Sequence, residues 1–216
     1  MMTVRQSLFL RLVSLAFGLA VMAMGIVLCI RADLGITPIS CPPYVLSLGL
    51  PPTVGQFTIL MHLVLITGQK FLLRREFLPV QWLQLVLALV FGVFIDGCMW
   101  LTASIVPDSY PMCILTLLTG NVLLASGMFL EIRSHLILVP TDGFVQAVSR
   151  RTGRPFSRLK IAFDVSLLLI SIACSLVLLD RIEGIREGTL VSSFLVGYLL
   201  GVIRRIADAI RQKRRS

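Results

Sequence analysis

The chain has 216 residues, 56% hydrophobic and only 14% charged, with a mean hydropathy of +0.92. Soluble domains run at roughly 45–50% apolar and about 25% charged, so this composition excludes a water-soluble globular domain and points to the bilayer. The net charge of +9 would suit nucleic acid, but the placement of the basic residues assigns them to membrane topology instead, and no nucleic-acid partner is expected.

A transmembrane helix needs about 20 mostly apolar residues. In chain order the candidate spans are Leu8–Ile30, Gln56–Gln69 with its flanks, Phe77–Leu101, Met112–Leu130, Leu159–Leu179 and Gly188–Ile203. Alternating barrel strands are absent, and backbone groups in lipid must be satisfied internally, so the spans are helices. The first has the basic start of a signal peptide (Arg5, Arg11). Its uncharged stretch, Leu12–Ile30, exceeds the usual apolar region of about 7–15 residues, and no A-x-A site follows. It reads as a retained helix, and Leu28 is too large for lipoprotein cleavage before Cys29.

The run "CIRADLGITPISCPP" (Cys29–Pro43) puts Arg31, Asp33, a glycine and three prolines where the first span ends. The chain then stays uncharged from Leu34 to Gln69, which is more than one span requires. Ser40–Leu50 reads as a short helix with Ser40 as its cap, proline in its first turn and a glycine near its end. About a hundred residues on, "EIRSHLILVPTDGFVQ" repeats the layout. Its short helix, residues 141–152, has Thr141 or Asp142 as cap and Gly153 as stop.

An offset of 102 residues places Gly18, Ala23, Gly25, Leu28, Ile30, Arg31, Leu34 and Pro38 on Gly120, Ala125, Gly127, Leu130, Ile132, Arg133, Leu136 and Pro140. Ser47 falls on Ser149 and Leu65 on Leu167. A further shift of 7 aligns Gly92-Val93 with Gly201-Val202. The chain therefore reads as a duplicated unit: residues 1–105, residues 106–210, and a basic cytoplasmic tail at 211–216. Three spans per unit is an odd number, so the second copy enters from the opposite face. The expected fold is an all-α membrane protein of six helices in two inverted repeats, each with a short re-entrant or broken helix after its first span. Apolar segments of about 10–14 residues are often re-entrant or interfacial; surface-lying amphipathic helices are the alternative. With the N-terminus in the cytoplasm, 17 of the 20 basic residues fall inside and only Arg31, Arg181 and Arg186 outside. The positive-inside rule gives this bias, and the basic tail would also meet anionic lipid.

A charge within a span is costly and marks a candidate site. His62 and Asp164 occupy equivalent positions, and a symmetric His–Asp pair could carry a proton. A structural hydrogen-bonded pair, or two residues satisfied separately, is the other reading. Asp96 stands alone in "FGVFIDGCMW" and is expected to pair with Arg31. Arg31 and Arg133, just before the two short helices, would offer positive charge beside helix N-termini that favour anions, or would instead snorkel to the two interfaces. Asp142 at its helix N-terminus works against an anion and towards a zwitterion or cation. The candidate substrate-binding set is thus Arg31, Asp33, Ser40, Asp96, Arg133 and Asp142, with His62 and Asp164 as proton-coupling residues.

Gly18, Gly25, Gly120, Gly127, Gly92, Gly197 and Gly201 predict close helix contacts, and Gly197-x3-Gly201 leaves room for a homodimer. Trp82 and Trp100 read as interface anchors. Five cysteines without paired metal spacing read as small buried hydrophobes, and no metal or other cofactor is expected. The P-loop, G-x-S-x-G, H-E-x-x-H and Rossmann fingerprints are missing, so the chain is not expected to be an enzyme. Any transport would be passive or ion-coupled.

The segments "ADLGITPISCPP…PPTVGQFTIL", "FGVFIDG" and "PTDGF…SRRTGRPFSRLKIAFDVSLLLI" resemble the YczE-like, YitT-related group of bacterial inner-membrane proteins, over roughly residues 8 to 205. Members look like "G-x-G-P-x-D-G" at the second short helix; this chain keeps Pro140, Asp142 and Gly143 but has Ile137 and Leu138 for the glycines. The resemblance implies location and architecture. The expected function is a transporter of a small anionic or zwitterionic solute; a channel, or a non-transporting membrane partner of another complex, are the alternatives.

Overall fold

The computed structural model describes residues 8–134 and 136–213. Among these described residues eight α-helices follow one another: α1 Leu8–Arg31, α2 Cys41–Gly49, α3 Val54–Leu73, α4 Leu83–Leu101, α5 Tyr110–Ser134, α6 Pro140–Thr152, α7 Phe156–Leu179 and α8 Glu187–Lys213. Two 3-10 turns, Arg74–Glu76 and Pro79–Trp82, join α3 to α4, and no strand occurs among the described residues. Among the described residues, six helical stretches are long and apolar enough to cross a membrane: α1, α3 with its 3-10 turn, α4 with its own, α5, α7 and α8. With that many apolar spans in one chain, the protein is a multi-pass membrane protein. α8 runs to Lys213, so the expected tail boundary at 211 falls inside a helix. Arg5, Arg214 and Arg215 lie outside the described residues.

The short helices match the expected segments to within a residue, but their caps differ. Ser40 sits at the N-cap position of α2 without a capping hydrogen bond. Pro42 and Pro43 occupy the positions whose N–H groups such a cap would serve, and proline has none. The Ser40 hydroxyl instead accepts from Thr37 Oγ1 at 3.1 Å. α6 begins at Pro140, one residue before Thr141 and two before Asp142, and Gly153 ends it at φ +69° as predicted.

α1 and α5 form the centre. They run antiparallel, crossing where small residues let the backbones touch. A Cβ on Gly25 would fall 2.5 Å from the Leu124 nitrogen and 2.7 Å from the Gly120 carbonyl; one on Gly127 would fall 2.6 Å from the Met22 nitrogen and from the Gly18 carbonyl. Such a seam gains dispersion contacts and close backbone approach, the main source of helix association in lipid. Around this pair, α4 packs on α1 and α8 on α5; α3 packs on α4; α2 and α6 each bridge α3 and α7.

The two flanks differ. α3 and α4 are sealed, with Gly55 against the Gly92 carbonyl and Gly92 against Ile59. α7 and α8 do not pack along their lengths, and a Cβ on Gly197 or Gly201 would meet nothing within 4 Å. The close contact expected of these two glycines is therefore absent among the described residues.

Candidate functional site

Polar side chains gather at both ends of the α1–α5 pair. Because α2 follows α1 and α6 follows α5, and the two long helices are antiparallel, Ser40 and Asp142 lie at opposite ends.

At the α6 end, the helix start is held from three sides. Glu131 of α5 accepts the Val139 N–H on Oε1 at 3.0 Å, placing a carboxylate at the positive end of the helix. Gln69 of α3 donates from Nε2 to the Pro140 carbonyl and to Gln84 Oε1, both at 3.0 Å. Gly143 leaves room for these amides: a Cβ there would come within 2.9 Å of Gln69 Oε1 and Gln84 Nε2. Glu131, Gln69 and Gln84 are all buried. Glu131 is three residues and Gln69 four residues from their helix ends, about 5–6 Å at 1.5 Å per residue. The α6 N-terminus thus sits roughly one turn inside the bundle end.

One turn further on, Asp142 meets α7. Lys160 Nζ lies 3.2 Å from Asp142 Oδ1 and 3.4 Å from Asp164 Oδ1. Lys160 Nζ and Asp164 Oδ1 are shut off from solvent. Phe163 flanks the ammonium at 5.8 Å and packs against Phe144 of α6. Two carboxylates sharing one ammonium leave a formal charge of −1 in this cluster. It can offer acceptors to an amine and a donor to a carboxylate. Sequence reasoning counted Lys160 only as a topology charge and missed it here. Its position was legible: at the 102-residue offset, Asp142, Lys160 and Asp164 fall on Ser40, Thr58 and His62.

The expected meeting of His62 with Asp164 does not occur. His62 is buried in α3, stacked on Phe91 of α4 with centroids 6.0 Å apart and planes 9° from parallel. Its Nδ1 has no partner among the described residues. Asp164 belongs to α7, and α2 and α6 stand between α3 and α7.

At the α2 end, Arg31 and Asp96 are not paired. Arg31 donates from an Nη to the Met99 carbonyl at 2.7 Å and from Nε to Thr102 Oγ1 at 3.4 Å. It serves the C-terminus of α4, where carbonyls are free and the dipole favours a cation. Asp96 accepts from Thr53 Oγ1 at 2.7 Å and the Gly55 N–H at 2.8 Å, so it serves the N-terminus of α3. Each charge has gone to the helix end of opposite sign. Asp33 stands at φ +51°. Its carbonyl accepts from Arg186 at 2.7 Å, and its carboxylate lies 3.6 Å from the same guanidinium. The Ile36 N–H donates to the Gly184 carbonyl and the Gly188 N–H to the Leu34 carbonyl, which ties the α1–α2 link to the α7–α8 link. Arg133 makes no hydrogen bond or ion pair with the described residues. The cysteines are free; Cys29 and Cys41 are buried, while Cys98, Cys113 and Cys174 are half-buried.

No curated protein and no solved structure matches this chain. Residues 9–205 match the model of a family described only as being of unknown function, DUF6198, and on that coverage of most of its length the chain belongs to this family.

Proposed function

We propose that the protein is a transporter of a small polar solute, made of two inverted three-helix repeats that exchange conformations, passive or proton-coupled. The inversion is supported by reciprocity at the α1–α5 seam. At the 102-residue offset, the contact of Gly18 with Gly127 maps onto that of Gly120 with Gly25, and the contact of Gly25 with the Leu124 nitrogen maps onto that of Gly127 with the Met22 nitrogen. Inverted repeats interrupted by short helices are a recurring transporter design. The charge bias supports cytoplasmic termini in a bacterial inner membrane.

The observation that carries the transport reading is the unequal state of two equivalent flanks. Gly92 closes α4 onto α3, while its equivalent, Gly201, faces open space beside α7. Two copies of one unit, one sealed and one parted, are what an alternating mechanism needs, because exchange of the two states moves the opening across the membrane. The Asp142–Lys160–Asp164 cluster joins α6 to α7, one of the two helices of the parted flank, and suits a zwitterion, with the carboxylates for its amine and Lys160 for its acid group. The reciprocal seam packs the centre tightly, which argues against a continuous channel there.

Spin-label pairs test this in liposomes, in a background without native cysteines. One pair would sit at Ile170 and Phe194 on α7 and α8, the other at Val64 and Leu89 on α3 and α4; all four side chains are exposed. Two distance populations in each pair, shifting in opposite senses when a pool of amino acids is added, are expected. A single unchanging distance in both pairs would defeat the proposal. It would favour the second reading, a non-transporting membrane partner, which the exposed face of α8 also suits.

A further inference from the structure

A second site lies about one turn beyond Gln69, where α3 ends and the last turn of α6 comes alongside. A pocket of about 460 Å³ opens there between two separate segments. Arg74, Arg75 and Glu76 line it from the turn after α3, Arg150 and Arg151 from α6, and Leu73 supplies an apolar wall. The segments meet because α6 packs on α3, with Phe144 set against Gly68. None of the four guanidinium groups makes a hydrogen bond or ion pair with the described residues, so the pocket carries an uncompensated charge of +3. The backbone at Arg74 is held at φ +47° and ψ −106°, a region non-glycine residues seldom occupy and one that often marks a functional constraint. Arg150 and Arg151 also complement the C-terminal dipole of α6, but that role leaves Arg74 and Arg75 unexplained.

The depth of the pocket is marked by its neighbours. Lys70 Nζ sits 4.9 Å above the ring of Trp82, and a tryptophan at a span end is a headgroup-level residue. Arginine forks match phosphate oxygens in pairs, and basic pockets between helices at headgroup depth take anionic lipid. We propose that this four-arginine pocket binds a phosphate group at headgroup level, that of an anionic phospholipid or a free phosphate. The proposal stands independently of the transport reading.

Lipid retention by the detergent-solubilised full chain, read by native mass spectrometry, tests it. Phosphatidylglycerol is expected to bind at least tenfold more tightly than phosphatidylcholine, and to lose tenfold or more in Arg74→Gln/Arg151→Gln. Arg204→Gln/Arg205→Gln removes the same charge from α8 and should change binding less than twofold. Millimolar inorganic phosphate that displaces phosphatidylglycerol would identify free phosphate as the ligand; failure to displace it would identify the lipid. Equal binding of the two lipids, or equal loss in the α8 variant, would overturn the proposal.

Discussion

Single side chains here are explained by the backbone groups they satisfy. Pro140 starts α6 without an N–H of its own, and Val139 before it needs a buried acceptor, which Glu131 provides at 3.0 Å. Glu131→Ala should cost about 1–3 kcal/mol, the penalty for an unpaired buried donor, while Glu131→Gln keeps an acceptor oxygen and should recover most of it. Chemical unfolding in detergent would show the difference. Lys160 sets a second case. Lys160→Met strands two carboxylates near each other and should destabilise the protein by about 1–3 kcal/mol. The same change made in Asp142→Asn/Asp164→Asn should cost much less, so a double-mutant comparison reads the coupling directly. Equal costs in the two backgrounds would show that the ammonium and the carboxylates act independently.

At the scale of elements, helix ends decide where charge goes. α3 begins with a capping box, Thr53 accepting the Gln56 N–H and Gln56 accepting the Thr53 N–H, and Asp96 reinforces it from α4. Asp96→Ala should weaken the α3–α4 contact by about 1–2 kcal/mol, the usual size of a lost N-cap, and raise hydrogen exchange at Gly55 before the rest of α3. Uniform exchange along α3 would deny Asp96 its role. Arg11 and Arg31, both on α1, serve the opposite kind of end: Arg11 Nε donates to the Ser134 carbonyl of α5 at 2.6 Å, as Arg31 does to α4. α1 is thereby fixed at both ends as well as along its glycine seam, in keeping with its being the most buried span.

At the scale of the whole molecule, the unequal flanks make Gly201 the decisive position. A Cβ there meets nothing within 4 Å, so Gly201→Leu creates no clash and, by replacing a mid-helix glycine with a better helix former, should hold stability or raise it by up to about 1 kcal/mol. If α8 must close on α7, the same change should abolish the short-distance α7–α8 population. Unaltered distances in that variant would mean that Gly201 is never a contact. Sidedness offers a separate check. Cysteines placed at Leu50 and Arg150, both exposed, should react with impermeant reagents from opposite faces of the membrane, since α2 and α6 sit at opposite ends of the α1–α5 pair. Reaction from one face would contradict the inverted arrangement.

The class, the six spans, the two short helices and the glycines of the central seam are legible in the residues alone. These follow from local sums, the apolar length needed to cross lipid and the small residues needed for backbones to touch. Which polar groups meet depends instead on how the helices pack. Asp96 and Arg31 looked like partners because both are isolated charges near one side, yet each found a helix terminus of opposite sign. Lys160 looked like a surface charge until the packing of α6 on α7 brought Asp142 to it. Ser40 had the identity of a cap, but two prolines had removed the donors it would have served. Gly92 and Gly201 are the same residue at equivalent positions; one is buried in a contact and the other faces open space, because the distance between packed helices is a property of the whole bundle and not of any segment within it.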